Sequence, residues 1–401
     1  MYIIWHDNDF DLALWVYQNS CLKDKEKVIL RQIPKTNNET LLSSDFTDKT
    51  DYLILPYIKF ATPDILVQRV NEDGTSKVLV ATEFMTHTPQ HDHVFQRFER
   101  IFCIAREKVP VACILPSRKV KIERGKKSAY YIKNYQPNPL VVHLYLKTTL
   151  INKSPALMFF WPEKDGYLKF DNQHQTAPKI EAEIENWFKF FNSCVNEEPN
   201  ILDSDAVKKQ YEYLDKKFPL NDDLFANMTF DDYVEGLDGF YSLARIAVMD
   251  TAAAISKFKL DETVLPKTFK HNKKTVILAY ASVGFRTDPY AGFLCGFKNL
   301  LCLNNDGQLK NNLLLVPIGI KYSLVSKSKT GRPTFTDLQE NLLECPIDKH
   351  TNFERVGIDA SIKHVEKGCI YARSKHQRIF GTVADAIIFE DYIYYNKNYV
   401  R

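Results

Sequence analysis

The 401-residue chain lacks the markers of several common protein classes. No two of its eight cysteines are spaced as CxxC, which argues against a zinc-finger type of site and favours reduced cysteines in the core. No apolar run approaches the roughly 18 residues that a membrane span needs. The GxxxxGK[ST] spacing of a P-loop is also absent, so the sequence gives no indication of ATP use.

The N-terminal segment MYIIWHDNDFDLALW has Asp and His inside its apolar stretch, unlike a secretory signal peptide. We therefore expect a cytoplasmic protein with no membrane partner. The net charge of +3 is too small to indicate a partner, so local basic clusters are more informative than the total. The sequence contains no internal repeat, and its length is typical of two domains.

Strand-like and helix-like segments alternate along the chain, which predicts an α/β protein: a mixed β-sheet flanked by helices, with a second α/β domain. A polar stretch with a proline at 196–203 is the candidate linker, which places the first domain at 1–195 and the second at 196–401. In the first domain we predict strands at 52–58, 64–70, 77–84, 109–115 and 140–146, and helices at about 90–108 and 181–191. In the second we predict helices at 205–217 and 230–257, and strands at 274–283, 313–320, 368–372 and 385–395.

Two acidic residues are predicted to face each other on a β-hairpin. Asp73-Gly74 is a strong turn signal between the strands 64–70 and 77–84, and Asp64 and Glu83 are about equally far from it. Their carboxylates would lie close together across the ladder and repel each other. A divalent cation that prefers oxygen ligands, such as Mg²⁺, removes that repulsion. It would also activate water and neutralise charge on a phosphodiester.

Pro63-Asp64, followed after a gap by Glu83 and Met85, resembles the signature of the PD-(D/E)xK nuclease superfamily, which includes most type II restriction endonucleases. The resemblance covers about residues 55–115 and implies a restriction-endonuclease-like mixed sheet, with Asp64 and Glu83 as the two Mg²⁺ ligands. The lysine of the family would fall on Met85, where the pattern fails. Three residues are alternatives for its role, and the sequence does not choose between them: Lys59, Lys77 and His87.

The segment after Glu83 is similar to the one behind the active-site strand of some restriction enzymes, where hydroxyl residues precede a Gln-Arg-aromatic helix. Four polar residues, three or four positions apart, predict one polar stripe along this helix: Gln90, His93, Arg97 and Arg100. Arg97 and Arg100 are suited to gripping a phosphate. The candidate catalytic residues are therefore Asp64, Glu83, His87, Gln90, His93 and Arg97.

A basic, tyrosine-containing segment follows the strand 109–115 and is predicted to contact nucleic acid. Its positive charge would release counterions from a phosphate backbone, and tyrosines can stack on bases. The candidate DNA-binding residues are Arg100, Arg118, Lys119, Lys121, Arg124, Lys126, Lys127 and Tyr130. The alternative for this segment is a solvated surface hairpin. Two basic loops of the second half, 325–335 and 372–378, also suit phosphate contacts.

These patterns predict a Mg²⁺-dependent DNA endonuclease of restriction or another anti-phage defence, whose second domain recognises DNA, forms a homodimer or senses a partner. Two alternatives stay open, as does the choice between DNA and RNA. The first is a catalytically inactive DNA-binding protein on the same fold, because Met85 replaces the lysine. The second is an unrelated structural or interaction protein, in which Asp64 and Glu83 lie more than about 8 Å apart, too far to share one metal ion.

Overall fold

The computed structural model describes residues 1–7, 9–34, 51–58, 62–85, 91–116, 119–122, 129–132, 137, 139–161, 180, 183–219, 244–265, 267–281, 288–318, 383–390 and 393–396. In parts of these ranges, including 91–96, 119–122 and 129–132, only the backbone is described. The chain divides into two compact units. The first comprises Met1–Lys35 and Leu42–Leu220, and the second Thr36–Leu41 and Asn221–Arg401.

The first unit is built on a six-stranded mixed β-sheet. In the order of their pairing the strands are β2 (Val28–Gln32), β1 (Tyr2–His6), β3 (Ile65–Val70), β4 (Ser76–Phe84), β5 (Val111–Pro116) and β8 (Ala156–Trp161). β3 runs antiparallel to both β1 and β4, whereas β4, β5 and β8 are parallel to one another. The carboxyl ends of β4, β5 and β8 therefore meet at one edge of the sheet.

Helices cover both faces of this sheet, as predicted. α1 (Phe10–Asn19) and α5 (Glu183–Val195) pack on one face, and α3 (His91–Arg106) and α4 (Pro139–Asn152) pack on the other. Successive strand residues point to opposite faces, so Phe84 packs against Trp187 of α5 while Glu83 faces α3. The remaining short elements are α2 (Leu55–Ile58) and the 3₁₀ turns Cys21–Asp24, Asp51–Ile54 and Ile201–Asp203.

The helix α6 (Asp205–Lys217) belongs to the first unit, although the sequence assigned it to the second domain. Its buried Gln210 donates a hydrogen bond to the Met158 carbonyl of β8 at 2.7 Å and accepts one from Asn186 of α5 at 3.1 Å. The division of the chain therefore falls after Leu220 rather than at 195/196. A polar stretch with a proline marks a bend here and not the end of the unit.

The predicted hairpin and the helix behind it are confirmed. β3 and β4 pair antiparallel around the turn at Asp73-Gly74, and Gly74 has the positive φ of +80° that favours glycine. α3 follows, and leads into the parallel strand β5. The strands 109–115, 274–283 and 313–320 and the helices 181–191 and 205–217 are likewise found, with shifted ends in most cases.

Four predictions of secondary structure are wrong. The segment 140–146 lies in α4, which begins at Pro139 and is buried on nearly all sides, so its apolar run has no helical period to read. The segment 52–58 forms a 3₁₀ turn and α2 instead of a strand. Residues 244–250 form a strand rather than helix, and 385–395 contains two antiparallel strands instead of one. The segment 368–372 lies outside the described residues.

The second unit also has a mixed sheet, with five strands. In pairing order these are β13 (Ile393–Tyr395), β12 (Ala386–Ile388), β11 (Asn312–Ile318), β10 (Lys274–Ala281) and β9 (Ala244–Asp250). β9 is antiparallel to β10, and β10, β11 and β12 are parallel. Its described helices are Thr251–Lys257, Lys267–His271, Asp288–Phe297 and the π-helix Lys298–Cys302.

β6 (Lys119–Ile122) and β7 (Ala129–Ile132) form a separate hairpin in the first unit.

The described residues test the expectations about membrane spans and about cysteines. Every helix within them is too short or too polar to serve as a membrane span. Five of the six cysteines in these ranges are buried, as predicted for core residues: Cys103, Cys113, Cys194, Cys295 and Cys302.

Candidate functional site

Asp64 and Glu83 oppose each other across the β3–β4 ladder, as the hairpin predicts. Ile65 pairs with Thr82, so the next residue on each strand brings Asp64 opposite Glu83. The backbone N–H of Phe84 donates a hydrogen bond to Asp64 Oδ2 at 2.7 Å, which fixes this carboxyl at the carboxyl end of β4. The two acids thus lie at the sheet edge where the parallel strands end.

The environment of Asp64 favours its neutral form. The pKa of Asp64 is raised from 3.8 to about 8, chiefly because its carboxyl is removed from water and secondly because of the negative charge of Glu83. The nearby charges of Arg97 and Arg100 and the Phe84 hydrogen bond lower the same pKa but do not outweigh these effects. Near neutral pH, Asp64 therefore carries a proton.

Glu83 is fully buried and is balanced by two arginines of α3. Arg97 Nη1 lies 2.7 Å from Glu83 Oε1, and Arg100 Nε lies 3.6 Å from Glu83 Oε2. Arg100 Nε also donates a hydrogen bond to the Thr62 carbonyl at 2.8 Å, which ties α3 to the residue before Pro63. A buried carboxylate needs such partners, because a charge left unpaired away from water is costly.

These contacts show which way part of the predicted polar stripe faces. Arg97 and Arg100 are on one side of α3, as their spacing predicts, but that side faces Glu83. The sequence gives the spacing of the stripe and not its direction, because a helix face rich in arginine can meet water or a buried carboxylate. The structure thus brings together four predicted residues: Asp64, Glu83, Arg97 and Arg100.

The inner wall of the site consists of two residues that the sequence did not indicate. Cys113 of β5 pairs with Glu83 across the parallel ladder, and Tyr145 of α4 lies near the Cys113 thiol. Burial raises the pKa of Cys113 to about 12 and that of Tyr145 well above its ordinary value, with the Glu83 charge adding to both shifts. Both groups therefore stay neutral. Tyr145 was missed because its segment was predicted to be a strand.

The end of β1 also reaches the site. The backbone N–H of Asp7 donates a hydrogen bond to the Asp64 carbonyl at 3.2 Å, and His6 pairs with Ile65. His6 is buried and packs edge-on against Phe10. His6 and Asp7, whose side chains can both bind protons or metals, thus lie next to Asp64 in the sheet, although they are about 60 residues away in the chain.

The donor set fits an oxygen-preferring metal ion with few protein ligands. Within the described ranges, no three side chains of His, Cys, Asp or Glu converge in a way that could hold a metal. The pair Asp64 and Glu83 remains, and neither oxygen of Glu83 accepts a hydrogen bond from a described residue. Mg²⁺ is commonly held by one or two carboxylates and completes its shell with water and substrate oxygens.

For several predicted site residues the structure describes no side-chain contacts. His87, Gln90, Arg118, Arg124, Lys126 and Lys127 fall outside the described residues, as do Lys59 and both basic loops of the second half. His93 lies in the first turns of α3, and its backbone alone is described. Lys119, Lys121 and Tyr130 lie in the hairpin of β6 and β7, where Lys121 pairs with Tyr130. The predicted phosphate contacts of this hairpin stay a prediction.

Lys77 is excluded as a substitute for the lysine that Met85 replaces. It lies six residues from Glu83 along β4, which corresponds to about 20 Å. Its Nζ is 2.9 Å from a carboxylate oxygen of Glu197. Met85 itself is buried, and its backbone N–H donates to the Ile114 carbonyl at 2.9 Å.

Comparisons with known proteins identify no relative. No family model matches the chain, no curated protein matches it, and no solved structure matches it.

Proposed function

We propose that the chain is a Mg²⁺-dependent nuclease of the PD-(D/E)xK type that hydrolyses phosphodiester bonds of DNA. The observation that carries this proposal is the opposition of Asp64 and Glu83 across the β3–β4 ladder, with Arg97 and Arg100 beside them. Without a cation the two acids cannot both be ionised at low cost, since burial and the Glu83 charge raise the pKa of Asp64 to about 8. Cation-dependent chemistry on a phosphate gives a physical reason to keep both carboxylates there.

The surrounding fold supports the proposal. An antiparallel strand pair carries the acids, and α3 leads from the second of these strands to the parallel strand β5. This order of hairpin, helix and strand is the one that the resemblance to restriction endonucleases implies. The site also lies at the carboxyl ends of parallel strands, where binding sites of open sheets commonly form.

Each residue has a distinct role in the proposed reaction. Asp64 and Glu83 hold the metal, and Mg²⁺ when bound supplies an activated water and neutralises charge on the phosphodiester. In the metal-free protein Asp64 retains a proton that Mg²⁺ must displace, so the affinity for Mg²⁺ should increase as pH rises towards about 8. Arg100, tied to Thr62, keeps a positive charge beside the site and favours the approach of a phosphate.

A second function is favoured by one specific observation. The lysine position of the family is occupied by the buried Met85, and Glu83 is already neutralised by Arg97 and Arg100. The same fold could therefore bind DNA without cutting it. Cleavage assays separate this binding protein from the nuclease.

The test is cleavage of plasmid DNA, phage DNA and RNA by the wild type and by Asp64→Asn and Glu83→Gln, with and without Mg²⁺. We expect the wild type to cut DNA only with Mg²⁺. Each variant should lose at least about a hundredfold in rate, because each removes a negative charge from the reaction centre. Glu72→Gln changes an exposed carboxylate of the same hairpin and should cut like the wild type.

Two outcomes would contradict the proposal. Cleavage that survives in both Asp64→Asn and Glu83→Gln would rule out this site. DNA binding that weakens as salt increases, without any cleavage, would favour the binding protein.

A further inference from the structure

We propose that Arg97 is a displaceable counter-ion of Glu83, which occupies the candidate metal site until a phosphodiester draws the guanidinium away. The inference rests on the proposed function, and it adds a regulation of the same site. Metal binding and substrate binding would then each promote the other.

Arg97 blocks the carboxylate that a metal ion would need. Its Nη1 is 2.7 Å from Glu83 Oε1, which is direct ion-pair contact. Neither oxygen of Glu83 accepts a hydrogen bond from a described residue, so ion pairs with α3 are what balances this buried charge. A guanidinium in contact with Oε1 and a cation at the same oxygen exclude each other.

Arg97 is held more weakly than its neighbour Arg100. The side chain of Arg97 is 32% exposed, and its Nε has no hydrogen-bond partner among the described residues. The Arg100 side chain is 15% exposed, and its Nε donates to the Thr62 carbonyl at 2.8 Å. Movement of Arg97 therefore breaks one ion pair, whereas movement of Arg100 would also break a hydrogen bond to the backbone.

A phosphodiester offers Arg97 a better partner than Glu83 once a cation competes for the carboxylate. A guanidinium binds phosphate oxygens through parallel hydrogen bonds, and about a third of the side chain already faces solvent. A change of side-chain rotamer is enough, so α3 can stay in place. Since coupling between two binding sites is reciprocal, the phosphate raises the affinity for the metal and the metal raises that for the phosphate.

The experiment measures Mn²⁺ binding by calorimetry, using the full chain with and without a short DNA duplex whose phosphorothioate linkages resist hydrolysis. We expect wild type to bind Mn²⁺ at least about tenfold more tightly with the duplex. Arg97→Met should bind Mn²⁺ at least about tenfold more tightly than wild type without the duplex, because the competing charge is gone. The gain from the duplex should shrink in this variant.

Two further variants make the result specific. Arg106→Met removes the same charge from the exposed end of the same helix and should bind Mn²⁺ like the wild type. Arg97→Lys keeps the charge but cannot form the planar contact with Glu83, and its Mn²⁺ affinity should lie between those of wild type and Arg97→Met. If Arg97→Met does not fold, Arg97→Lys decides the question.

Unchanged or weaker Mn²⁺ binding in both Arg97 variants would overturn the inference, as would a wild-type affinity that the duplex does not alter. If one of these results is found but Glu83→Gln still abolishes Mn²⁺ binding, only the inference about Arg97 fails, and the proposed metal site at Glu83 is retained. Absence of Mn²⁺ binding in the wild type and in every variant, with or without the duplex, would overturn both the inference and the proposed function.

Discussion

The two units share a pattern of strand pairing, in which an antiparallel pair is followed by a parallel strand, but they differ in what the antiparallel pair carries. In the first, β3 and β4 pair and α3 leads to the parallel strand β5. In the second, β9 and β10 pair and the helix Asp288–Phe297 precedes the parallel strand β11. Where Asp64 opposes Glu83, the second unit pairs Ala244 with Tyr280. This arrangement of strands therefore does not require acids at those positions.

Each unit also contains a buried ion pair, and the two pairs differ in how closed they are. In the second unit Lys298 Nζ lies 3.3 Å from Asp385 Oδ2, and the side chains are 6% and 3% exposed. Asp385 Oδ2 also accepts a hydrogen bond from the Leu313 backbone at 2.6 Å. Glu83 is equally buried, but its partner Arg97 is partly in solvent. A closed pair indicates a structural role, and a half-open pair can exchange its partner.

The largest expected effect on stability is from breaking the closed pair. Asp385→Asn removes the carboxylate that pairs with the buried Lys298, which should lower the free energy of unfolding by about 3–5 kcal/mol. Asp250→Asn is the matched control on the same sheet, because the Asp250–Lys274 pair is exposed and its loss should cost about 0.5 kcal/mol or less. Urea unfolding measures both.

A closed pair that is structural should also tolerate replacement by uncharged residues. The double variant Lys298→Met and Asp385→Asn should recover most of the stability that Asp385→Asn alone loses, because neither charge of the pair remains and the asparagine oxygen can still accept the Leu313 hydrogen bond. Equal stability of Asp385→Asn and Asp250→Asn would show that the second unit does not depend on its buried pair.

The next effect separates the two arginines of the first unit. Arg100→Met removes a buried ion pair and the hydrogen bond to Thr62, and should destabilise the protein by about 2–3 kcal/mol. Arg97→Met should cost less, because Arg97 is more exposed and has one contact to lose. Thermal unfolding without metal compares the two variants. A greater loss in Arg97→Met would contradict the distinction between the fixed and the displaceable arginine.

The pH dependence of stability should differ between carboxyl groups of the two units. The folded pKa of Asp64 is about 8 against 3.8 for the ordinary group, so the folded protein retains a proton that the unfolded chain releases. The resulting stability is complete below pH 3.8 and is lost as pH rises through about 8, by at most about 1.4 kcal/mol per pH unit. Metal-free Asp64→Asn should lack this dependence.

For Asp261 of the second unit, the dependence of stability on pH has the opposite sign. Hydrogen bonds from Thr263 lower its pKa, so its contribution is present above its ordinary pKa and is lost as pH falls. Asp261→Asn should therefore change only the acid side of the stability profile. Urea unfolding across the pH range measures both variants, and identical profiles for wild type and Asp64→Asn would contradict the raised pKa of Asp64.

The parts of the fold that the sequence predicted are those with a clear period or a strong turn signal. α3 alternates apolar and polar residues with helical spacing, and Asp73-Gly74 fixes the hairpin. α4 and 244–250 were misassigned because apolar runs without period fit either a strand or a helix. The strands β1 and β8 were missed, since their pairing partners are distant in the chain.

Of the candidate site, the sequence predicted only the part that depends on the register of the β3–β4 hairpin. The hairpin alone puts Asp64 opposite Glu83, because both are counted from one turn. The contact of Arg97 with Glu83 depends on the direction in which α3 packs, and that of Cys113 on the parallel pairing of β5. Both are tertiary outcomes, which the spacing of residues along the chain does not determine.

The smallest expected effect concerns a turn that both units use. NEDGT at 71–75 and NNDGQ at 304–308 close with the same two backbone hydrogen bonds, and Gly74 and Gly307 have φ of +80° and +76°. A Cβ at Gly74 would meet no atom within 4 Å, so Gly74→Ala costs only the left-handed conformation, about 1–2 kcal/mol. Gly307→Ala should cost about the same. Urea unfolding measures both.

Gly74→Ala should leave cleavage unchanged, because the six residue pairs of the β3–β4 ladder keep Asp64 opposite Glu83 after the turn is strained. Gly74→Asn should be milder than Gly74→Ala, because asparagine tolerates positive φ better than alanine does. A loss of cleavage in Gly74→Ala, at a temperature where the protein stays folded, would show that the turn rather than the ladder sets the distance between the two carboxylates.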